Sequence, residues 1–214
     1  MNDDVISLAL AYAGYRWMGT PTNVMHGADP DGVPIDTPDL TWRGDAFQCG
    51  WWQIGQLNTG VPYSWGNAST LDEFGDGIRA GMYAGNVPED KRRRISRFTV
   101  GVDCSGLLTR CWQLPQRITT RDIPAFADVL SCIDEIQPGD VLAKPGSHAM
   151  IFVRFEDSER RKAIIIDATR STGKVSQRLV EVAPLLANGY KAYRRKVDGA
   201  PDKHTSQVAP GSVS

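Results

Sequence analysis

Apolar positions near the start of the chain recur at helical spacing. Val5, Leu8, Ala9 and Tyr12 follow Asp3 and Asp4, either of which can cap an N-terminus, and the pattern predicts a helix over residues 3–17. A second helix is predicted over 70–84, where Leu71, Phe74, Ile78 and Met82 share one face behind a Ser69/Thr70 cap, against the poor propensity of Gly75, Gly77 and Gly81. Residues 104–112 suit a third, with Leu107, Leu108 and Cys111 inward, and 124–132 a fourth, with Phe126, Val129 and Leu130 inward. After Gly139 the apolar runs take strand character at 140–143, 148–155, 163–168, 175–182 and 190–195, separated by turn-forming or charged breaks. Helices first and strands later predict an α+β fold rather than an alternating one.

Two stretches lack either period. Residues 19–66 are rich in Pro, Gly, Asp and Trp, and read as a long irregular segment stapled by its own aromatics, either functional in itself or a cover for a site. Trp42, Trp51, Trp52 and Trp65 are expected to form that segment's core before they form a sugar-stacking groove. Residues 198–214 carry little to bury and are expected to be a disordered tail. A chain of 214 residues then accommodates a single domain over 1–197, made of a helical and loop-rich part (1–98) and a core (99–197).

Composition narrows the function classes. The apolar share is 41% and the charged share 23%, as in a soluble globule, and no run approaches the roughly 20 apolar residues a membrane helix needs. Twenty-four basic against twenty-five acidic residues leave a net charge of −1, so no overall field draws the chain to nucleic acid or an anionic membrane, and neither is expected as a partner. The basic cluster of Lys91, Arg92, Arg93, Arg94 and Arg97 reads as a solvated turn, with contact to an anionic polymer as the alternative. The acidic opening Met1-Asn2-Asp3-Asp4 and the short, interrupted apolar run after it do not form an export signal.

Four cysteines (Cys49, Cys104, Cys111, Cys132) include no C-x-x-C pair and no zinc-finger spacing. Cys111 and Cys132 read as packed side chains, and Cys49 stays undecided. His26 with Asp29, Asp31, Asp36 and Asp39 invites a metal reading, but Pro30, Pro34 and Pro38 interrupt any calcium-loop spacing, so neither metal nor cofactor is expected.

Chemistry concentrates at Gly101-Val102-Asp103-Cys104-Ser105-Gly106, where a cysteine falls at the turn from loop to helix. Helix N-termini favour a thiolate. A nucleophilic thiol needs a base, and the choice lies among His26, His148 and His204. His204 lies in the tail and His26 in a Pro/Gly/Asp loop, whereas His148 opens the apolar strand His148-Ala149-Met150-Ile151, a rigid platform for a base. The next strand, Ile164-Ile165-Ile166-Asp167-Ala168, ends on one acid, which makes Asp167 the natural group to orient the imidazole.

Asp103-Cys104-Ser105-Gly106, Pro138-Gly139-Asp140-Val141-Leu142, His148-Ala149-Met150-Ile151 and Ile166-Asp167-Ala168, in that order, resemble the motif series of the NlpC/P60 cell-wall peptidases over the second half of the chain. Upstream, Pro62-Tyr63-Ser64-Trp65-Gly66 resembles that family's Pro-Tyr-x-Trp-Gly element. The resemblance implies a papain-like fold, a helix bearing the cysteine packed on a small antiparallel sheet. It also implies a cysteine peptidase, acting on stem peptides of peptidoglycan at bonds such as γ-D-glutamyl-diamino acid, with Tyr63 beside the nucleophile and Asp103 and Ser105 helping to bind the substrate's amine or polar backbone. Such an enzyme works at the bacterial wall, outside the cytoplasm, and a monomer is expected. A thiol acyltransferase or amidase on the same scaffold, and a silent wall-binding module, are the alternatives.

The chain departs from the family pattern in three places. About 40 residues separate Tyr63 from Cys104, the third residue is Asp where His or Asn is usual, and the hairpin from His148 to Asp167 is extended by the charged turn 156–162.

Overall fold

A computed structural model describes residues 2–42, 50–87 and 94–196. The elements in chain order are α1 (Asn2–Gly14), β1 (Arg16–Met18), β2 (His26–Ala28), β3 (Pro34–Asp36), β4 (Leu57–Thr59), α2 (Leu71–Arg79), β5 (Tyr83–Ala84), β6 (Thr99–Val100), α3 (Cys104–Cys111), α4 (Ile123–Phe126), β7 (Ala127–Val129), β8 (Val141–Lys144), β9 (His148–Phe155), β10 (Lys162–Thr169), β11 (Lys174–Glu181), α5 (Val182–Ala187) and β12 (Lys191–Arg195). The fold is α+β. Among the described residues no helix is long and apolar enough to cross a membrane.

The frame of the molecule is a six-stranded sheet in the order β11-β10-β9-β8-β12-β7, antiparallel at every pairing. Its central strands read as continuous apolar runs because both faces are covered. Along β9, Ala149 and Ile151 enter a core with Leu107 and Leu108 of α3 and Val5, Ala9 and Tyr12 of α1, while Met150 and Phe152 enter a second core with Ile136, Ile165 and Val182. The two-residue alternation of a strand divides the run between the two. The edge strand β11 alternates instead, with Gln177, Leu179 and Glu181 exposed.

The first core joins the two parts of the chain. Trp17, Trp52, Phe74 and Val102 belong to the cluster that holds Leu107 and Ile166, so the loop-rich first part is built into the same interior. Trp17 is the hub of the aromatic staple, its ring 5.2 Å from Trp52 and 5.4 Å from Phe74. Trp42 and Trp52 are buried core, as expected for this segment, and Trp51 lies against the β10–β11 turn, its indole N–H donating to the Gly173 carbonyl at 2.9 Å.

Several predicted boundaries move. The first helix stops at Gly14, and Arg16–Met18 pairs with Leu57–Thr59 instead of continuing it. The second helix is capped by Thr70 and Glu73 reciprocally, as expected, but ends at Arg79, before Gly81 with its φ of 80°. The predicted helix over 124–132 is corrected: only Ile123–Phe126 is helical, Ala127–Val129 is an edge strand on β12, and Val129 faces outward at 54% exposure. A hydrogen-bonded partner 64 residues downstream overrides the local periodicity there. The five predicted strands form within one or two residues of their expected places, with the additional short helix α5 between the last two. The predicted tail, His204, Cys49 and Lys91–Arg93 lie outside the described residues.

Candidate active site

Cys104 is the first residue of α3, and Asp103 is its N-cap. One carboxylate oxygen of Asp103 accepts from the Gly106 amide at 2.6 Å and the Ser105 hydroxyl at 2.8 Å. The other accepts from the Gly66 amide at 2.9 Å and the Arg117 guanidinium at 2.7 Å. Four donors occupy the roughly four lone-pair sites a carboxylate offers. Asp103 and Ser105 are buried, and in this structure their polar atoms serve the helix cap and its tie to the 62–66 segment.

That tie brings Tyr63 close to Cys104 across the roughly 40 residues between them. Tyr63 bridges to Val102 in parallel, Ser64 N–H donates to the Val102 carbonyl at 3.0 Å, and Val102 N–H donates to Pro62 at 3.2 Å. Approach this close requires glycine. Gly101 has φ 139°, and a Cβ there would strike the Pro62 carbonyl; one on Gly106 would strike the Asn67 carbonyl. The Tyr63 hydroxyl is buried, and that burial, together with the charges of Asp103 and Cys104, pushes its pKa far up, so it stays neutral. The described residues between them include α2 and the parallel pair β5–β6.

His148 opens β9 and Asp167 lies near the end of β10. The imidazole Nε2 is 2.7 Å from an oxygen of Asp167, and Cys104 is near enough for its sulfur to act on the ring. With Nε2 on the carboxylate, Nδ1 is the nitrogen left for sulfur. Burial pushes the His148 pKa down, but Asp167 and Cys104 outweigh it and raise the value to about 9. Asp167, fully buried, is held below the usual carboxylate range: burial alone would raise it, and His148 and Arg178 overcome that.

Arg178 is the residue the sequence reading missed. Its Nε and Nη2 donate to the two oxygens of Asp167 at 2.9 and 2.6 Å, a bidentate clamp from β11. Asp167 stands opposite Ser176 in the β10–β11 ladder, so Arg178 is the diagonal neighbour on the same face, within reach of a long side chain. The signal was the hairpin register, set by the turn 170–173 with Gly173 at φ 67°. Arg117 was missed too, and nothing in its local sequence points to Asp103.

The expected alternatives separate cleanly. His26 is remote in role: its Nε2 is 3.0 Å from Asp39 and its Nδ1 3.5 Å from Asp36, a lock between the β2–β3 hairpin and the following turn. No group of three or more metal-binding side chains occurs among the described residues. Cys111 is buried as expected, and its thiol is pushed above the ordinary range by that burial, whereas Cys132, expected to be packed, is exposed at the start of a short turn. Arg94 and Arg97 of the basic cluster contact Asp31, through its carbonyl at 2.9 Å and its carboxylate at 2.8 Å.

Cys104 opens onto a cavity of about 540 Å³, lined by Trp65, Ile95, Arg117, Thr119, Arg121 and Ser147 among others. This volume suits a small ligand or a short peptide segment. No protein-family model, curated protein or solved structure matches the chain.

Proposed function

We propose that the protein is a cysteine peptidase of the NlpC/P60 type on a papain-like scaffold, acting on amide bonds of bacterial cell-wall stem peptides. One observation carries the reading: Cys104, at a helix N-terminus and on the wall of a cavity, adjoins an imidazole whose Nε2 is held at 2.7 Å by a buried carboxylate. A packed cysteine has no use for such an arrangement. The helix-then-strand order and the closeness of Tyr63 to Cys104 support the family likeness.

At neutral pH His148 carries a proton on each nitrogen, since its value is raised to about 9. Nε2–H donates to Asp167, which leaves the Nδ1 proton for the side facing the sulfur, and the reacting form of Cys104 is its thiolate. The thiolate attacks the scissile carbonyl, forming a C–S bond as the carbonyl electrons move to oxygen. The N-terminal amides of α3 are the donors available for that oxyanion. His148 then gives its Nδ1 proton to the departing amine as the C–N bond breaks, and becomes the base that takes a proton from water in hydrolysis of the thioester. Asp167 fixes the ring and stabilises its charge. Arg178 acts on Asp167 and touches no reacting atom, which makes it a positioning residue.

The test is incubation of the purified protein with soluble muropeptide stem peptides, with products read by mass spectrometry in the presence and absence of an added amine acceptor. Free acid products that disappear in Cys104→Ala support a hydrolase and locate the bond. Products joined to the acceptor in preference to water would replace it with an acyltransferase, and an unchanged panel with a folded, reduced parent would refute both.

A further inference from the structure

The turn of the β2–β3 hairpin carries a buried carboxylate that the mechanism does not use. Asp29 is 5% exposed, and one of its oxygens accepts from the Asp31 and Val33 amides at 2.9 and 2.7 Å, which closes the turn. Its other oxygen accepts from the hydroxyl of the buried Ser96 at 2.6 Å. Asp31 ties down the flanking residues, its carbonyl accepting from Arg94 at 2.9 Å and its carboxylate from Arg97 at 2.8 and 3.2 Å. The hairpin is fixed in turn to the 62–66 segment through Asn86. The Asn86 side-chain oxygen accepts from the Asp36 amide and its backbone carbonyl from the Trp65 amide, both at 3.0 Å. Between these anchors Ile95 is left 53% exposed. A lone exposed isoleucine means little. This one lines the cavity of Cys104 together with Trp65, and it is seated over Gly66, where any Cβ would strike it. Gly66 donates to Asp103, the residue before the nucleophile, at 2.9 Å.

We propose that Ile95 is a specificity-determining residue that takes an aliphatic group of the substrate against itself and Trp65, and that Asp29 and Ser96 are positioning residues that hold it there. Residues 94–97 lie in the stretch of about 40 residues between Tyr63 and Cys104 by which the chain departs from the pattern it resembles, so the contact is a property of this chain. The hairpin then has a use: it fixes one part of the cleft from outside it. The assignment deepens the peptidase reading and rests on it for the word substrate, but the contact itself can be measured on the thiol without turnover.

The probes are N-ethylmaleimide and N-cyclohexylmaleimide, which offer a thiolate the same ring double bond and differ in apolar size. In each case the C–S bond forms as the double bond opens, and solvent supplies the proton to the neighbouring carbon. Site-resolved mass spectrometry of the full chain gives the rate ratio, cyclohexyl over ethyl, at Cys104 and at the exposed Cys132 as an internal reference. The ratio at Cys104 is expected to fall about fourfold in Ile95→Ala, the worth of roughly one methylene returned to water, with Cys132 unmoved. Ser96→Ala is expected to lower the ratio in the parent and to add nothing in the Ile95→Ala background, because it acts through Ile95. A loss of stability alone leaves the ratio where it was, since both reagents meet the same thiol. Arg97→Gln, at an exposed pair, puts the same question if Ser96→Ala does not fold. A ratio that is unchanged or higher in Ile95→Ala overturns the contact, as does failure of both reagents to label Cys104. A ratio unmoved by whichever of Ser96→Ala and Arg97→Gln folds overturns the positioning role. An Ile95-dependent ratio in a protein that cleaves no stem peptide keeps the contact and removes the peptidase; cleavage with a ratio indifferent to Ile95 does the reverse.

Discussion

Replacing Arg178 by methionine separates a structural clamp from a positioning one. Asp167 is fully buried, and its charge is balanced by His148 at 2.7 Å and by the two Arg178 bonds at 2.9 and 2.6 Å. Removing one partner of a buried ion pair costs about 3–5 kcal/mol. His148 remains as a partner and the Arg178 side chain is 30% exposed, which places the expected loss at about 2–4 kcal/mol. With a urea m-value of about 2–3 kcal/mol/M, the unfolding midpoint falls by about 1 M. The charge effect has a definite sign. Without the guanidinium, the carboxylate is less neutralised and draws the His148 proton more strongly, so the alkaline limb of Cys104 reactivity moves upward from about 9. Urea melts followed by circular dichroism, and iodoacetamide rates at Cys104 against pH, measure the two quantities, with Arg178→Lys expected to recover part of each. A variant as stable as the parent within about 0.5 kcal/mol, with an unmoved alkaline limb, would refute the clamp.

His148 has a folded value near 9 against an unfolded value of 6.5, so the stability it contributes is complete below about pH 6.5 and lost as the pH rises through 9. Asp167 is depressed and contributes in the opposite sense, above the ordinary carboxylate range and lost in acid; melting temperatures across pH 3–10 are expected to decline at both ends, the alkaline decline disappearing in His148→Ala. Asp167→Asn is expected to lower the alkaline limb of Cys104 alkylation, opposite in direction to Arg178→Met. Gly106→Ala is expected to destabilise the fold by about 1–3 kcal/mol, because its Cβ meets the Asn67 carbonyl, which calorimetry would register. Asp103→Ala, which removes the cap of α3 and leaves Arg117 unpaired, is expected to cost about 2 kcal/mol and to slow Cys104 alkylation while Cys132 keeps its rate.

The sequence by itself determined the elements that carry their own periodicity and singled out the candidates for a site. The helix that begins at Cys104 and the five strands after Gly139 were legible from their apolar runs, and Cys104, His148 and Asp167 were candidates because each stands at or near the end of such an element. Pairing decided the rest. Ala127–Val129 is a strand only because β12 returns to meet it, and Arg16–Met18 only because Leu57–Thr59 does. Tyr63 stands beside Cys104 through a bridge to Val102 that skips α2, a contact no local spacing encodes. Arg178 and Arg117 reach their carboxylates across a hairpin and across a helix cap, so their roles depend on register and on which face a long side chain crosses. Local propensity is a property of a few neighbouring residues, whereas an ion pair in a cleft is a property of the whole packed chain, and only the tertiary structure brings its two halves together.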